Sequence, residues 1–209
     1  MDFAAARKVM VDSQVRVNDV TNRELHAAMG SVERERFCAP ERAFSAYADL
    51  MPEITADRSL MLPRDLGKLL EGADLKAGEK ALVAFGPYAA AVLAKMGLDV
   101  TVQDSSEEVL AVTGSALADY GVKAVTAPLT TIQGAGYDVI VSEGAVPGRQ
   151  DAWIEALAEG GRLVVVERTG PIGKAVVYVK GAEGVSRREL FEAAPNVLTE
   201  LAPAPAFAL

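Results

Sequence analysis

The residues with chemistry in reach stand at the ends of short apolar runs. Phe85 and Gly86 end Ala81-Leu-Val-Ala-Phe, Gln103 and Asp104 follow Asp99-Val-Thr-Val, Ala127 and Pro128 follow Val122-Lys-Ala-Val-Thr, and Ser142 and Glu143 close Tyr137-Asp-Val-Ile-Val. Carboxylates and amides there can accept hydroxyl protons, and a glycine lets backbone approach a ligand closely. If the runs are strands of one open parallel sheet, these residues line the crevice beyond the strands' carboxyl ends, where ligands bind. Phe85, Gly86, Gln103, Asp104, Pro128 and Glu143 are therefore the candidate cofactor-binding residues.

Each has a plainer alternative. Gly86 can serve only as the turn between a strand and the helix-like Tyr88–Met96. Asp104, followed by Ser105-Ser-Glu-Glu108, also reads as an ordinary helix amino end, where acids are favoured. Glu143 ends an apolar strand, so it is either at the mouth of a cleft or in a structural ion pair, since burial without a partner is costly. His26 and Cys38, the only residues of their kinds, lack companions for a metal site. The expectation is a surface or half-buried His26, a small buried Cys38, and no metal. Trp153 is expected to pack on the sheet.

The elements that hold these residues follow from periodicity. Residues 1–75 read as helical: Thr21 and Glu24 form a capping-box pattern ahead of Leu25, Ala28 and Met29, and Pro63 opens a helix with Leu66, Leu69 and Leu70 on one face. Gly72 or Gly78 ends it. From Glu79 strands alternate with helices: strands at 81–85, 99–103, 122–126, 137–143 and 162–167, with helices over Glu107–Tyr120 and Asp151–Glu159, the last stopped by Gly160-Gly161. That rhythm predicts a mainly parallel sheet covered on both faces. Lys174–Lys180 and a weaker stretch near Phe207 are expected to pair antiparallel at one edge. The division is a helical cap and substrate region over 1–75 and an α/β domain over 76–209, forming one compact unit.

Composition narrows the function. With 209 residues, half of them hydrophobic, the chain can bury one substantial core. A net charge of −8 disfavours nucleic acid, and Arg34, Arg36 and Arg42, interleaved with Glu33, Glu35 and Glu41, read as a solvated mixed-charge face. A single cysteine, no leader pattern at Met1–Arg7 and no long apolar run predict a soluble cytoplasmic protein without a membrane partner.

The segment Met10-Val-Asp-Ser-Gln-Val-Arg-Val-Asn-Asp-Val-Thr21, with Val32-Glu-Arg-Glu-Arg-Phe37, Ala46-Tyr-Ala-Asp49 and Leu62-Pro63, resembles the amino-terminal region of bacterial protein-L-isoaspartate O-methyltransferases. Tyr137–Ala145 and Gly160–Val166 resemble that family's fourth and fifth strands, so the likeness covers nearly the whole chain. It implies a seven-stranded, Rossmann-like methyltransferase sandwich with a helical cap. It also implies methyl transfer from S-adenosylmethionine to isoaspartyl carboxylates, with a damaged protein or peptide as substrate. The carboxylate is itself a competent nucleophile, so positioning supplies much of the catalysis and no triad is required.

Several positions depart from the family pattern. Val83 stands near an expected acid, and Phe85-Gly86-Pro87 replaces a longer glycine-rich loop. Gln103 takes the place of a ribose-binding acid, unless Asp104 assumes that role. Met61 stands where a serine is expected before Pro63, which leaves nearby Ser59 as the catalytic candidate. The space beside Phe85, Gly86 and Pro87 is therefore expected to be narrow. Two functions follow: a divergent methyltransferase, or a non-catalytic relative using the fold as a binding or structural module.

Overall fold

A run of β-branched and small apolar residues builds the centre of the molecule: Ala81–Ala84, Val139–Val141 and Leu163–Val166 are essentially inaccessible to solvent. Strands buried on both faces must be covered by helices, which is the arrangement found. The computed structural model describes residues 1–202. A helix α1 (Phe3–Met10) runs through a wide π turn into a 3-10 turn and is followed by α2 (Arg23–Ser31). A small antiparallel pair, β1 (Glu53–Thr55) and β2 (Arg58–Ser59), precedes α3 (Pro63–Gly72). The alternating part is β3 (Lys80–Ala84), α4 (Pro87–Lys95), β4 (Asp99–Asp104), α5 (Glu107–Asp119), β5 (Lys123–Thr126), β6 (Tyr137–Val146), α6 (Asp151–Glu155) and β7 (Leu157–Glu167). Two antiparallel strands, β8 (Gly173–Gly181) and β9 (Gly184–Ala193), complete it.

The large sheet has seven strands in the order β5-β4-β3-β6-β7-β8-β9. Its first five are mutually parallel, and β8 and β9 add as an antiparallel edge. Chain direction across the sheet reverses between β3 and β6, so the crevice opens above the carboxyl ends of β3, β4 and β6. This is the seven-stranded methyltransferase-type sheet that the sequence implied.

Several local expectations need correction. Asn22, rather than Thr21, caps α2, accepting from the amides of Glu24 and Leu25, while Thr21 donates to Glu71. The helix expected to run to Glu159 ends at Glu155. Gly160-Gly161 forms a bulge inside β7, and a Cβ on Gly161 would lie 2.7 Å from the Tyr137 carbonyl oxygen. The strand facing β8 is β9; the stretch near Phe207 lies outside the described residues. Arg34 is not on a solvated face. It is fully buried, donates to the carbonyls of Ala46 and Met61, and lies 4.7 Å over the Tyr88 ring. Among the described residues no helix is long and apolar enough to cross a membrane.

Candidate functional site

The turn between β3 and α4 sets the site. With only Phe85 and Gly86 to reverse the chain, both take left-handed backbone, at φ +61° and +143°. For phenylalanine this conformation is strained. It is held from both sides, since the Phe85 amide donates to Gln103 O and its carbonyl accepts from Glu143 N, each at 2.9 Å. The short turn thus stitches the ends of β3, β4 and β6 together.

Gly86 has no room for a side chain. A Cβ there would lie 2.8 Å from Glu143 Cγ and 2.9 Å from Val83 Cγ1. The Glu143 side chain itself fills the space beside the turn. Its Oε1 accepts from the Ala89 amide at 2.5 Å, within the first turn of α4, and its Oε2 accepts from the Met61 amide at 3.3 Å. Burial pushes the Glu143 carboxyl above the usual carboxylate range; Arg34 and the two amides pull the other way. The amino end of α4, where backbone donors would meet an anion, already holds one.

The neighbouring strand end is closed as well. Gln103 is inaccessible, and its amide is spent on the loop after β5: Nε2 donates to the carbonyls of Pro128 and Thr131, and Oε1 accepts from Gln133 N. Pro128 therefore meets Gln103 through its carbonyl. Asp104 is 1% exposed; Oδ1 accepts from Ser106 N and lies 3.5 Å from Arg58 Nη2, while Oδ2 has no partner among the described residues. Burial raises the Asp104 carboxyl too, with the Ser106 amide and Arg58 opposing it. Ser106, not Asp104, caps α5 through the Val109 amide.

Arg58, which sequence reasoning missed, is the centre of this closure. It is 4% exposed, lies 5.4 Å over the Phe85 ring, and donates to Glu200 at 2.7 Å and Asp57 at 2.9 Å. Glu200 in turn accepts from Ser105 Oγ and the Leu129 amide. The segment bearing it follows β9 back to the site: Ala145 and Val197 form a parallel bridge, and Leu198 packs against Gly144. Ser59 is buried, and its hydroxyl accepts from Asn196 Nδ2 at 2.8 Å. No sequence signal pairs Arg58 with Glu200, because 142 positions separate them.

Phe85, Gly86, Gln103, Asp104 and Glu143 are thus brought together at the sheet switch, but as a closed cluster. Ser59 stands off it, behind Asn196. A cavity of about 740 Å³ lies alongside, bordered by Asp57, Pro147, Arg168, Thr169, Asn196 and Thr199. A nucleoside-bearing donor such as S-adenosylmethionine needs free hydroxyl acceptors and room at the β3 turn. In this conformation Gln103 and Glu143 are engaged and the room at the turn is filled, with Asp104 Oδ2 the acceptor left without a partner among the described residues, so the residues as arranged here do not fit it.

The profile of the family Protein-L-isoaspartate(D-aspartate) O-methyltransferase (PCMT) matches residues 6–189. A protein-L-isoaspartate O-methyltransferase of Koribacter versatilis is 28% identical, over 90% of this chain and 88% of its own. One from Methylorubrum populi is 31% identical, over 88% and 89%. A Plasmodium falciparum structure described as a protein-L-isoaspartate O-methyltransferase in complex with S-adenosyl-L-homocysteine superposes with a TM-score of 0.79 at 14% identity, covering 93% of this chain and 98% of that one. At that identity the likeness concerns the fold.

Proposed function

Because this chain belongs to the protein-L-isoaspartate O-methyltransferase family, we propose that it methylates isoaspartyl carboxylates of damaged proteins, with S-adenosylmethionine as donor. The observation that carries this reading is the family match over residues 6–189, supported by relatives aligned along most of both chains. The sheet order agrees with it. The family acts on protein substrates, and a cavity of about 740 Å³ lies beside the sheet switch. Arg168 borders it with Nε and Nη1 already donated to the carbonyls of Gly170, Ala194 and Pro195, and makes no ion pair among the described residues, which leaves Nη2 as the donor open to a substrate carboxylate. Ser59, buried and accepting from Asn196, which borders that cavity, is a positioning residue on this reading rather than a nucleophile. The location that fits such a role is the cytoplasm.

A second reading, a relative without transfer activity, is favoured by one observation: Glu143 fills the turn beside Gly86. Incubation of the full chain with methyl-labelled S-adenosylmethionine and an isoaspartyl peptide separates the two, with the matching aspartyl peptide as control. Label on the isoaspartyl peptide alone supports the methyltransferase. No label from folded protein at saturating donor supports the second reading.

A further inference from the structure

The lack of fit between the family's donor and this crevice has a specific cause in the chain itself. Two carboxylates and one guanidinium crowd the carboxyl ends of β3, β4 and β6. Glu143 reaches from the end of β6 into the amino end of α4 and takes the amides of Ala89 and Met61. Arg58 lies across Phe85, which forms the floor beside the turn, and faces the Asp104 carboxylate. Glu200 comes from the segment after β9 and pins Arg58 in that position. Its two oxygens also take Ser105 and the Leu129 amide, so it ties the ends of β4 and β5 to the hairpin of β1 and β2.

We propose that the chain is self-capped: Glu143 and the Arg58–Glu200 pair narrow the donor crevice of the folded protein, and a donor enters only when the Arg58–Glu200 pair gives way. This rests on the methyltransferase reading. Two features mark the Arg58–Glu200 part as the movable one. Glu200 is 24% exposed in its side chain and sits on a short 3-10 turn (Thr199–Leu201), so its release disturbs no strand of the large sheet. Moreover, Arg58 Nε and Asp104 Oδ2 are buried without partners among the described residues, so the closed arrangement is imperfectly satisfied. Glu143 is the fixed part, because it is buried with both oxygens engaged.

A closed state that must open weakens apparent affinity in proportion to the fraction of molecules already open. The test is calorimetric titration of the full chain with S-adenosylhomocysteine, comparing wild type, Glu200→Ala and Glu143→Ala, each checked for a native-like thermal melt. Glu200→Ala frees Arg58 and should bind at least about tenfold more tightly than wild type. Glu143→Ala should also gain affinity by clearing the space beside Gly86, and Glu200→Ala remains decisive if that buried change impairs folding. Equal, measurable binding by wild type and Glu200→Ala would overturn self-capping while leaving the methyltransferase reading in place. An absence of binding by every folded variant would overturn both.

Discussion

Glu143 shows how much one side chain decides here. Its folded-state pKa is raised by burial, so the folded chain holds the proton more tightly than the unfolded chain does. Its contribution to stability is therefore most favourable below the ordinary carboxylate range and declines as pH climbs through the raised value. Glu143→Gln removes that decline. Urea unfolding of both proteins at about pH 4 and about pH 8 should show the variant gaining on wild type at the higher pH. An unchanged difference would mean that folding does not raise the Glu143 pKa. Cys38 offers a second check, since burial pushes its thiol up to about 11. It should resist thiol reagents at neutral pH until denaturant is added, and rapid labelling of native protein would contradict its placement. The strand-end residues were legible in the sequence because strand ends are predictable from apolar runs. What they do was not: Gln103 and Asp104 have the right types for ribose, yet Gln103 is spent on its own loop and Asp104 faces Arg58.

At the scale of elements, the two-residue turn between β3 and α4 is the tightest feature. Gly86→Ala forces a side chain into a backbone of φ +143° and into contact with Glu143 and Val83, so it should destabilise by about 1–3 kcal/mol. Gly114 lies within α5, in ordinary helical backbone with nothing within 4 Å of a Cβ. Gly114→Ala should therefore stabilise by about 0.5–1 kcal/mol, and denaturant midpoints of the two variants moving the same way would contradict this contrast. Strands read well because their β-branched runs are buried on both faces. Helix ends read less well. Thr21 and Asn22 are both capable caps, and only the position of Glu71 decides between them. Gly160-Gly161 reads as a helix stop because a bulge inside a parallel strand leaves the same local signature, and it is the pairing of Tyr137 with Leu157 that extends β7 backward.

Across the whole molecule, the first 75 residues and the α/β part are joined through polar contacts. Arg34 stacks on Tyr88 and Met61 N–H meets Glu143 in the interior, and Arg36 pairs with Asp119 at the surface. Below the sheet, Arg162 takes both oxygens of Glu79 and the carbonyls of Ala73, Asp74 and Asp138. Arg162→Ala should lower stability by about 2–4 kcal/mol, because it leaves a half-buried carboxylate and three carbonyls without their donor. Trp153 fluorescence and backbone circular dichroism should lose signal in one shared transition, and two separated transitions would show that residues 1–75 and 76–209 are distinct units. The family and the parallel strands of the sheet were readable in the sequence, whereas its edge strand β9 was not, and the partner of β8 was expected near Phe207 instead. The closure of the crevice was not readable either, because it depends on Arg58 and Glu200 meeting across most of the chain. That closure is tested most directly by native-state hydrogen exchange on the donor-free protein. The Ala89 and Met61 amides, held by Glu143, should exchange nearly as slowly as the core amides of β3. Exchange at the rate of an exposed turn would mean that the crevice stands open and that Glu143 does not cap it.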